Sequence, residues 1–248
     1  MRKIQLILFI FFAVRSVDAQ QTSGSIIYEE KIKLQINVDG EAPSDMPALP
    51  KEQVNIKKLD FTSDVSLYFN DGITAPTDIE QQSDAGVIRI KMDRPDEKSY
   101  CEIDKGIVTE QREFMTRKFL VITELSKNEW KLTGKQKMIA DYPCQEATRT
   151  ESDRKISVWF TPNIPVRSGP GRFAGLPGMV LEVNINNDDI LITAKEIKFG
   201  EVDASKIEKP KEGKKVTWEE FDKIRTEKMK EMQDQNGGNG NVMIKIRK

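Results

Sequence analysis

Apolar and polar residues alternate regularly in the segment that begins near residue 26. The apolar residues fall on even positions, at Ile26, Tyr28, Ile32, Leu34, Ile36 and Val38, with mostly polar residues between them. A period of two is that of a β-strand, in which successive side chains point to opposite faces of the sheet. The segment is therefore predicted to be a strand with one buried face.

Short β-prone runs continue through most of the chain. Strands are predicted over 65–69, 87–92, 98–104, 106–115, 118–124, 128–134 and 136–142, whereas residues 39–51, with three prolines and a glycine, predict a loop. The turn-forming stretches 151–153 and 186–189 each separate two β-prone runs and predict hairpins. Within the second turn, Asp188 and Asp189 are favoured as turn formers over a pair of acid–base carboxylates.

One segment has the pattern of a helix. Thr217 and Glu220 match a capping box, and Trp218, Phe221 and Ile224 follow with helical spacing. A helix is predicted over about 217–234, followed by a flexible tail or a terminal strand over 235–248. The predicted fold class is mainly antiparallel β, as a curved sheet or half-barrel with a β-sandwich as the alternative, with one C-terminal α-helix.

The N-terminus has the composition of a secretory signal. Arg2 and Lys3 precede an apolar run over 4–14, and 17–19 have the small-residue spacing of a cleavage site. The apolar run is shorter than the roughly 20 residues that a membrane anchor needs. We predict a signal peptide over 1–19, no transmembrane anchor after cleavage, and a single β-rich domain over 20–234.

Charge and cysteine content narrow the partners and the compartment. The net charge of −1 becomes −3 when residues 1–19, with three cations and one acid, are removed, which gives no electrostatic reason to expect nucleic acid. The two cysteines, Cys101 and Cys144, predict a disulfide in an exported protein, with two buried free thiols as the alternative.

The absence of histidine excludes several kinds of chemistry. Nucleophile–histidine triads and histidine-based zinc sites need an imidazole, and the sequence has none. We predict no cofactor and no metal site. Hydrolysis by paired carboxylates remains open, since such chemistry needs only two well-placed acids.

The stretch GRFAGLPGMVLEV, residues 171–183, is the densest local signal. A phosphate-binding loop is disfavoured, because such a loop opens a helix and this stretch runs into strand-like residues. Pro177 fixes φ and Gly178 tolerates positive φ, as a type II turn requires. A turn that leads into a central strand is therefore predicted.

The same residues resemble a known family. Gly175, Leu176, Pro177 and Gly178, followed by Met179-Val180, resemble the signature of the GLPGLI family of exported gram-negative proteins. Tyr142 and Cys144 in one block, and Trp159 in another, strengthen the resemblance. The resemblance implies export to the periplasm or cell surface and a structural role for these residues, and it supplies no catalytic residues.

The favoured function at this level is a non-catalytic binding or accessory protein of the cell envelope. Its partner would be an apolar ligand or an outer-membrane or other envelope protein, with Arg172 and Phe173 as candidate contacts at the mouth of a cavity. The alternative is a carboxylate-dependent hydrolase of the envelope. On this interpretation the chain is more plausibly not an enzyme, since no catalytic motif is found.

Overall fold

The structure is a computed structural model. It describes residues 22–38, 51–72, 77–83, 86–92, 96–127, 129–151, 153–236 and 242–246, which form fifteen strands and one α-helix. The strands are β1 (Gly24–Val38), β2 (Glu52–Phe61), β3 (Val65–Asn70), β4 (Thr77–Ser83), β5 (Gly86–Met92), β6 (Lys98–Glu102), β7 (Ile107–Phe114), β8 (Arg117–Glu124), β9 (Lys131–Ile139), β10 (Tyr142–Glu151), β11 (Arg154–Thr161), β12 (Met179–Ile185), β13 (Ile190–Phe199), β14 (Lys214–Thr217) and β15 (Val242–Ile246). The helix α1 spans Trp218–Asn236, and short 3-10 turns lie at Leu125–Lys127 and Ala204–Lys206.

Thirteen of these strands form one sheet that is curved and not closed. Its order is β14-β8-β7-β6-β3-β2-β1-β13-β12-β11-β10-β9, and β15 pairs with the far half of β1. Every pairing is antiparallel except that of β14 with β8, and β4 and β5 form a separate hairpin. The predicted class, a curved antiparallel sheet with a C-terminal helix, is confirmed, and the β-sandwich alternative is not observed in the described residues.

The main hydrophobic core covers the inner face of β1 and of the strands from β11 to β13. Tyr28 is fully buried at its centre, donates a hydrogen bond from its hydroxyl to the carbonyl oxygen of Val180 (2.7 Å), and packs edge-to-face on Tyr68. Burial, and secondarily Cys144, raises the pKa of the Tyr28 hydroxyl well above its usual value. These contacts tie the first strand to the start of β12.

The helix begins where the capping box predicts. The Glu220 backbone N–H donates to the Thr217 hydroxyl (3.2 Å), and the Thr217 N–H donates to the Glu220 carboxylate (2.9 Å). Trp218 and Phe221 then pack with Phe119 of β8 in a second apolar cluster. The helix is thereby held against one end of the sheet, directly after β14.

The glycine-rich stretch does lead into an interior strand, because β12 lies between β11 and β13 and is almost entirely buried. Gly178 has a φ of 150°, which residues with a side chain rarely adopt and which differs from the value near +80° that a type II turn requires. The hydrogen bond runs from the Gly178 N–H to the Leu176 carbonyl (2.8 Å), across one residue. The turn around Pro177 is therefore a γ-turn, and the predicted type II turn is wrong.

The predicted disulfide is also wrong. Cys101 on β6 and Cys144 on β10 are both free and both buried. Cys144 belongs to the main core, whereas Cys101 belongs to a small separate cluster with Val108 and Leu125. Six strands separate β6 from β10 in the sheet order, so the sheet does not place the two cysteines on neighbouring strands, where the Cα separation of about 7 Å or less that a disulfide requires is common.

The two cysteines should therefore titrate as two free thiols. Burial, and then Glu102, raises the pKa of the Cys101 thiol to about 12, and burial raises that of Cys144 to about 11. Because the thiolate is the reactive form, we expect almost no reaction with a disulfide reagent at pH 8 in the folded chain. After unfolding in urea without reductant, two thiols per chain should react with the reagent. If no thiol reacts, the two cysteines form a disulfide after all.

The described chain contains no helix that is long and apolar enough to span a bilayer. The predicted signal peptide, residues 1–19, and all of the predicted loop 39–51 except its last residue lie outside the described residues. Within the predicted tail, residues 242–246 form β15 against β1.

Candidate functional site

The inner face of the sheet becomes polar along β2. In this strand the buried side chains at its start are Gln53, Asn55 and Lys57, and only Leu59 and Phe61 beyond them are apolar. The amide of Gln53 donates to Asn55 Oδ1 (3.2 Å), and the amide of Asn55 donates to Glu30 Oε1 (2.9 Å). Because buried polar groups are normally satisfied by partners of this kind, the strand carries an ordered polar surface into the interior.

A chain of charges continues this surface across β6 and β7. Glu97 lies 3.7 Å from Lys57 Nζ and 3.7 Å from Arg112 Nη1. Arg112 Nη2 donates to Glu110 Oε1 at 2.9 Å, and the Ser99 hydroxyl donates to the same oxygen at 3.2 Å. Burial opposes the charge of Arg112, but Glu110 and Glu97 outweigh it and raise the pKa of the guanidinium.

Arg172 enters the same region from the loop before β12. Its guanidinium carbon lies 3.7 Å from the centre of the Trp218 ring. Its Nη1 donates to both oxygens of Glu151, at 2.8 and 2.7 Å. Burial lowers the pKa of Arg172, although Glu151 and then Glu110 oppose the effect. Arg172 thus joins the β10 end, the helix start and the glycine-rich loop at one point.

A second arginine lies beside this contact. Arg149 Nη2 is 3.5 Å from Glu151 Oε2, and its guanidinium carbon stacks 4.5 Å from the Trp130 ring centre. Burial, and then the neighbouring charge of Arg172, lowers the pKa of Arg149 to about 10. Two guanidinium groups therefore share one carboxylate, which concentrates positive charge around Glu151.

Two cavities meet at Arg172 and Trp218. The inner cavity, of about 80 Å³, is lined both by the polar surface of β2, β6 and β7, including Glu110, and by apolar side chains of β1, β12 and β13, including Ile32 and Ile192. The open cleft, of about 740 Å³, is lined by residues of β8, β10 and β14 and by the first turn of α1. Arg172 and Trp218 are the residues common to both linings, so they form the partition between the cleft and the inner cavity.

The predicted contact residues lie close to this partition. Arg172 and Phe173 both line the inner cavity, yet only 4% and 8% of their surfaces are exposed. Phe173 is part of the main core and lies below the Arg172 guanidinium, 5.1 Å from its carbon to the ring centre. The two residues line a cavity but are buried in its wall, and their contact with a ligand or partner stays a prediction.

The predicted structural residues lie away from the partition. Trp159 is half-buried beneath Lys137, whose Nζ is 4.3 Å from the ring centre, and Tyr142 packs edge-to-face on Phe199. The turn acid Asp188 accepts from the Asn184 side chain and donates its N–H back to Asn184. Asp188 therefore serves the hairpin, as its turn position predicts.

The sequence pattern does not single out the residues that build the site. It places Glu110 in a predicted strand, Glu151 in a predicted turn and Trp218 on the apolar side of a predicted helix. A signal for the polar face does exist, because the residues of Glu52–Phe61 alternate between Gln53, Asn55 and Lys57 on one face and Val54 and Ile56 on the other. The expectation that apolar residues face inward would assign that face to solvent.

The fold and the site together define a class of protein. Its members are built on a curved antiparallel sheet, and carboxylates and guanidinium groups line a cleft large enough for a ligand. The chain belongs to the family described as the N-glycanase peptide, N-terminal domain, whose model matches residues 74–228, more than half of the sequence. A search of the curated proteins finds no match.

Two solved structures match this chain, and both are described as PNGF-II, in the P21 and the C2 space groups. The first is 18% identical, with 82% of this chain and 33% of that chain covered and a TM-score of 0.52. The second is 19% identical, with 80% and 32% covered and a TM-score of 0.47. This chain thus spans about a third of the length of those proteins, and the likeness of the first shows a shared fold.

These comparisons correct the assignment to the GLPGLI family, since the family that matches is that of the N-glycanase domain. The short motif at Gly175–Gly178 specifies a local turn. Because unrelated folds can contain the same turn, the motif alone does not identify a family. The prediction of a non-catalytic binding or accessory protein, more plausibly not an enzyme, is wrong for the same reason: the family whose model matches carries the name of an enzyme, N-glycanase. The predicted envelope partner stays a prediction.

Proposed function

We propose that this chain is an enzyme domain of the N-glycanase class and that its open cleft binds an N-linked glycan for hydrolysis. The observation that carries the proposal is the Glu151 carboxylate, which both reaches the open cleft and is held at both oxygens by Arg172. Membership in the N-glycanase family supports the same activity. We also propose that the protein acts outside the cytoplasm, in the periplasm or at the cell surface, and family membership is compatible with such export.

The lining of the open cleft suits an uncharged, hydroxyl-rich ligand. It contains five acidic side chains, Glu124, Glu129, Glu151, Glu219 and Glu220, and five basic ones, Lys131, Arg149, Lys155, Arg172 and Lys215. A balanced lining offers hydrogen-bond donors and acceptors without a net field that would select a polyanion or a polycation. Its volume, about 740 Å³, falls within the range of about 300–1,000 Å³ typical of ligand pockets.

The chemistry available at this cleft is that of carboxylates. Hydrolysis adds water across the bond to the glycan: a carboxylate takes a proton from the attacking water, and an acid donates a proton to the leaving atom. The sequence has no histidine to do either. Glu151 is the candidate for the first step, since two hydrogen bonds from Arg172 fix the orientation of its carboxylate.

The test is glycan release from a fluorescent N-glycopeptide by the full chain. We expect free glycan by mass spectrometry and a loss of at least about 100-fold with Glu151→Gln, the size of effect typical of a removed acid–base group. Glu196→Gln is the matched control, because Glu196 is exposed on β13 and, among the residues that the structure describes, its ion pair is with the exposed Lys198 of the same strand.

Either of two results would contradict the proposal. One is the absence of any released glycan with the wild-type chain. The other is a folded Glu151→Gln variant, by circular dichroism, that releases glycan at the wild-type rate.

A further inference from the structure

The inner cavity contains buried polar atoms that lack hydrogen-bond partners. In the described part of the chain, no partner is found for Tyr68 Oη, Glu110 Oε2, Arg112 Nε or Trp218 Nε1. All four residues line this one cavity. Since more than nine in ten buried polar groups in folded proteins have a partner, four such atoms around a single space indicate a polar occupant.

The four atoms require an occupant with both hydrogen-bond donors and hydrogen-bond acceptors. Glu110 Oε2 accepts a hydrogen bond, Trp218 Nε1 and Arg112 Nε donate one, and Tyr68 Oη can do either. Glu110 and Tyr68 are 1% and 6% exposed, and Trp218 is 7% exposed, so bulk water does not satisfy these atoms from outside. The occupant must therefore donate and accept at the same time.

The charges around the cavity favour a neutral occupant. Each of its four cations already contacts an acid: Lys57 and Arg112 contact Glu97, Arg154 contacts Asp222, and Arg172 contacts Glu151. An anion would lie beside the unpartnered oxygen of Glu110, and a cation would lie beside guanidinium groups, so either would face a like charge, and the opposite charges nearby are already engaged in ion pairs.

We infer that the inner cavity is a binding site for a small uncharged group with two adjacent hydroxyls, a 1,2-diol. Each hydroxyl donates one hydrogen bond and accepts up to two, which matches the one acceptor, the two donors and the tyrosine hydroxyl. The volume of about 80 Å³ is several times the roughly 10–15 Å³ of accessible volume that one buried water requires, which is enough for a group of this size. The cavity holds such a group whether or not the open cleft hydrolyses a glycan.

The experiment is an NMR titration of the full chain with ethylene glycol. The sequence has three tryptophans, so Trp130→Phe and Trp159→Phe assign the Trp218 indole N–H by elimination. We expect the Trp218 signal to shift saturably, with a midpoint in the millimolar range suited to so few ligand atoms. Acetate and methylammonium should produce no saturable shift.

Tyr68→Phe provides the variant, because it removes only the hydroxyl that has no partner in the described residues. We expect it to weaken ethylene glycol binding at least threefold and to leave the unfolding temperature at or above that of the wild type. Tyr100→Phe is the matched control, since Tyr100 lines neither cavity, and it should leave the midpoint unchanged.

Three outcomes would overturn the inference. A Trp218 shift that stays linear to 1 M ethylene glycol means that water alone fills the cavity. Saturable binding of acetate with equal affinity means that the site is an anion site. An unchanged midpoint in folded Tyr68→Phe means that the diol binds elsewhere. None of these results depends on glycan release, so failure here and failure of the proposed activity are separate.

Discussion

Replacing Gly178 by alanine should destabilise the protein by roughly 2–6 kcal/mol, the combined effect of a disfavoured backbone region and an overpacked contact. An added Cβ would lie 2.1 Å from the Thr161 carbonyl oxygen and 2.9 Å from Pro162 Cα, and both are backbone atoms that cannot move independently. The φ of 150° adds strain for any residue with a side chain. Against a total stability of about 5–15 kcal/mol, such a loss is measurable as a large shift of the urea midpoint.

Gly200 separates the two causes of this loss. Its φ is 157°, close to that of Gly178, but no atom lies within 4 Å of its added Cβ. Gly200→Ala should therefore destabilise the protein through backbone strain alone, by about 1–3 kcal/mol. Equal effects of the two substitutions would show that the close approach to Thr161 does not matter.

Replacing Arg112 by methionine should destabilise the protein by about 3–5 kcal/mol, the effect of leaving a buried charge without its partner. Glu110 is 1% exposed, and Arg112 is the cation that bonds its carboxylate at 2.9 Å. Glu97 keeps Lys57 as a partner, so the loss falls mainly on Glu110. Urea unfolding of the variant measures it.

The double variant Arg112→Met, Glu110→Gln tests that explanation. Because removing both charges of a buried pair is often close to neutral, the second substitution should restore most of the lost stability. Arg117→Met is the control, since Arg117 is exposed on the neighbouring strand, and its effect should stay within about 0.5 kcal/mol. A double variant no more stable than Arg112→Met would mean that the arginine contributes through packing instead.

Local pattern predicted the parts of this fold that depend on local chemistry. The hairpin at Asn186–Asp189 and the capping box at Thr217 and Glu220 are set by residues within a few positions of each other, and both form as expected. Period-two alternation found β1 for the same reason.

The candidate site could not be predicted in this way. Glu110, Glu151, Arg172 and Trp218 come from four distant segments, and only the order of strands in the sheet brings them together. In β2 the expectation that apolar residues face the interior gives the wrong orientation of the strand, because Gln53 and Lys57 face inward. The prediction of a disulfide was wrong for a related reason. The sequence positions of two cysteines do not show which apolar cluster of the fold each one joins.

The pairing of β1 sets the order in which the chain can fold. Gly24 lies beside Phe199, so one edge of the first strand stays unpaired until the chain has been made as far as residue 199. At about 5–20 residues per second, translation takes roughly 9–35 s to supply that neighbour. Contacts this distant along the chain also make folding slow once synthesis is complete. The sheet around β1 can therefore be completed only after β13 has left the ribosome, whatever the order in which the other strands pair.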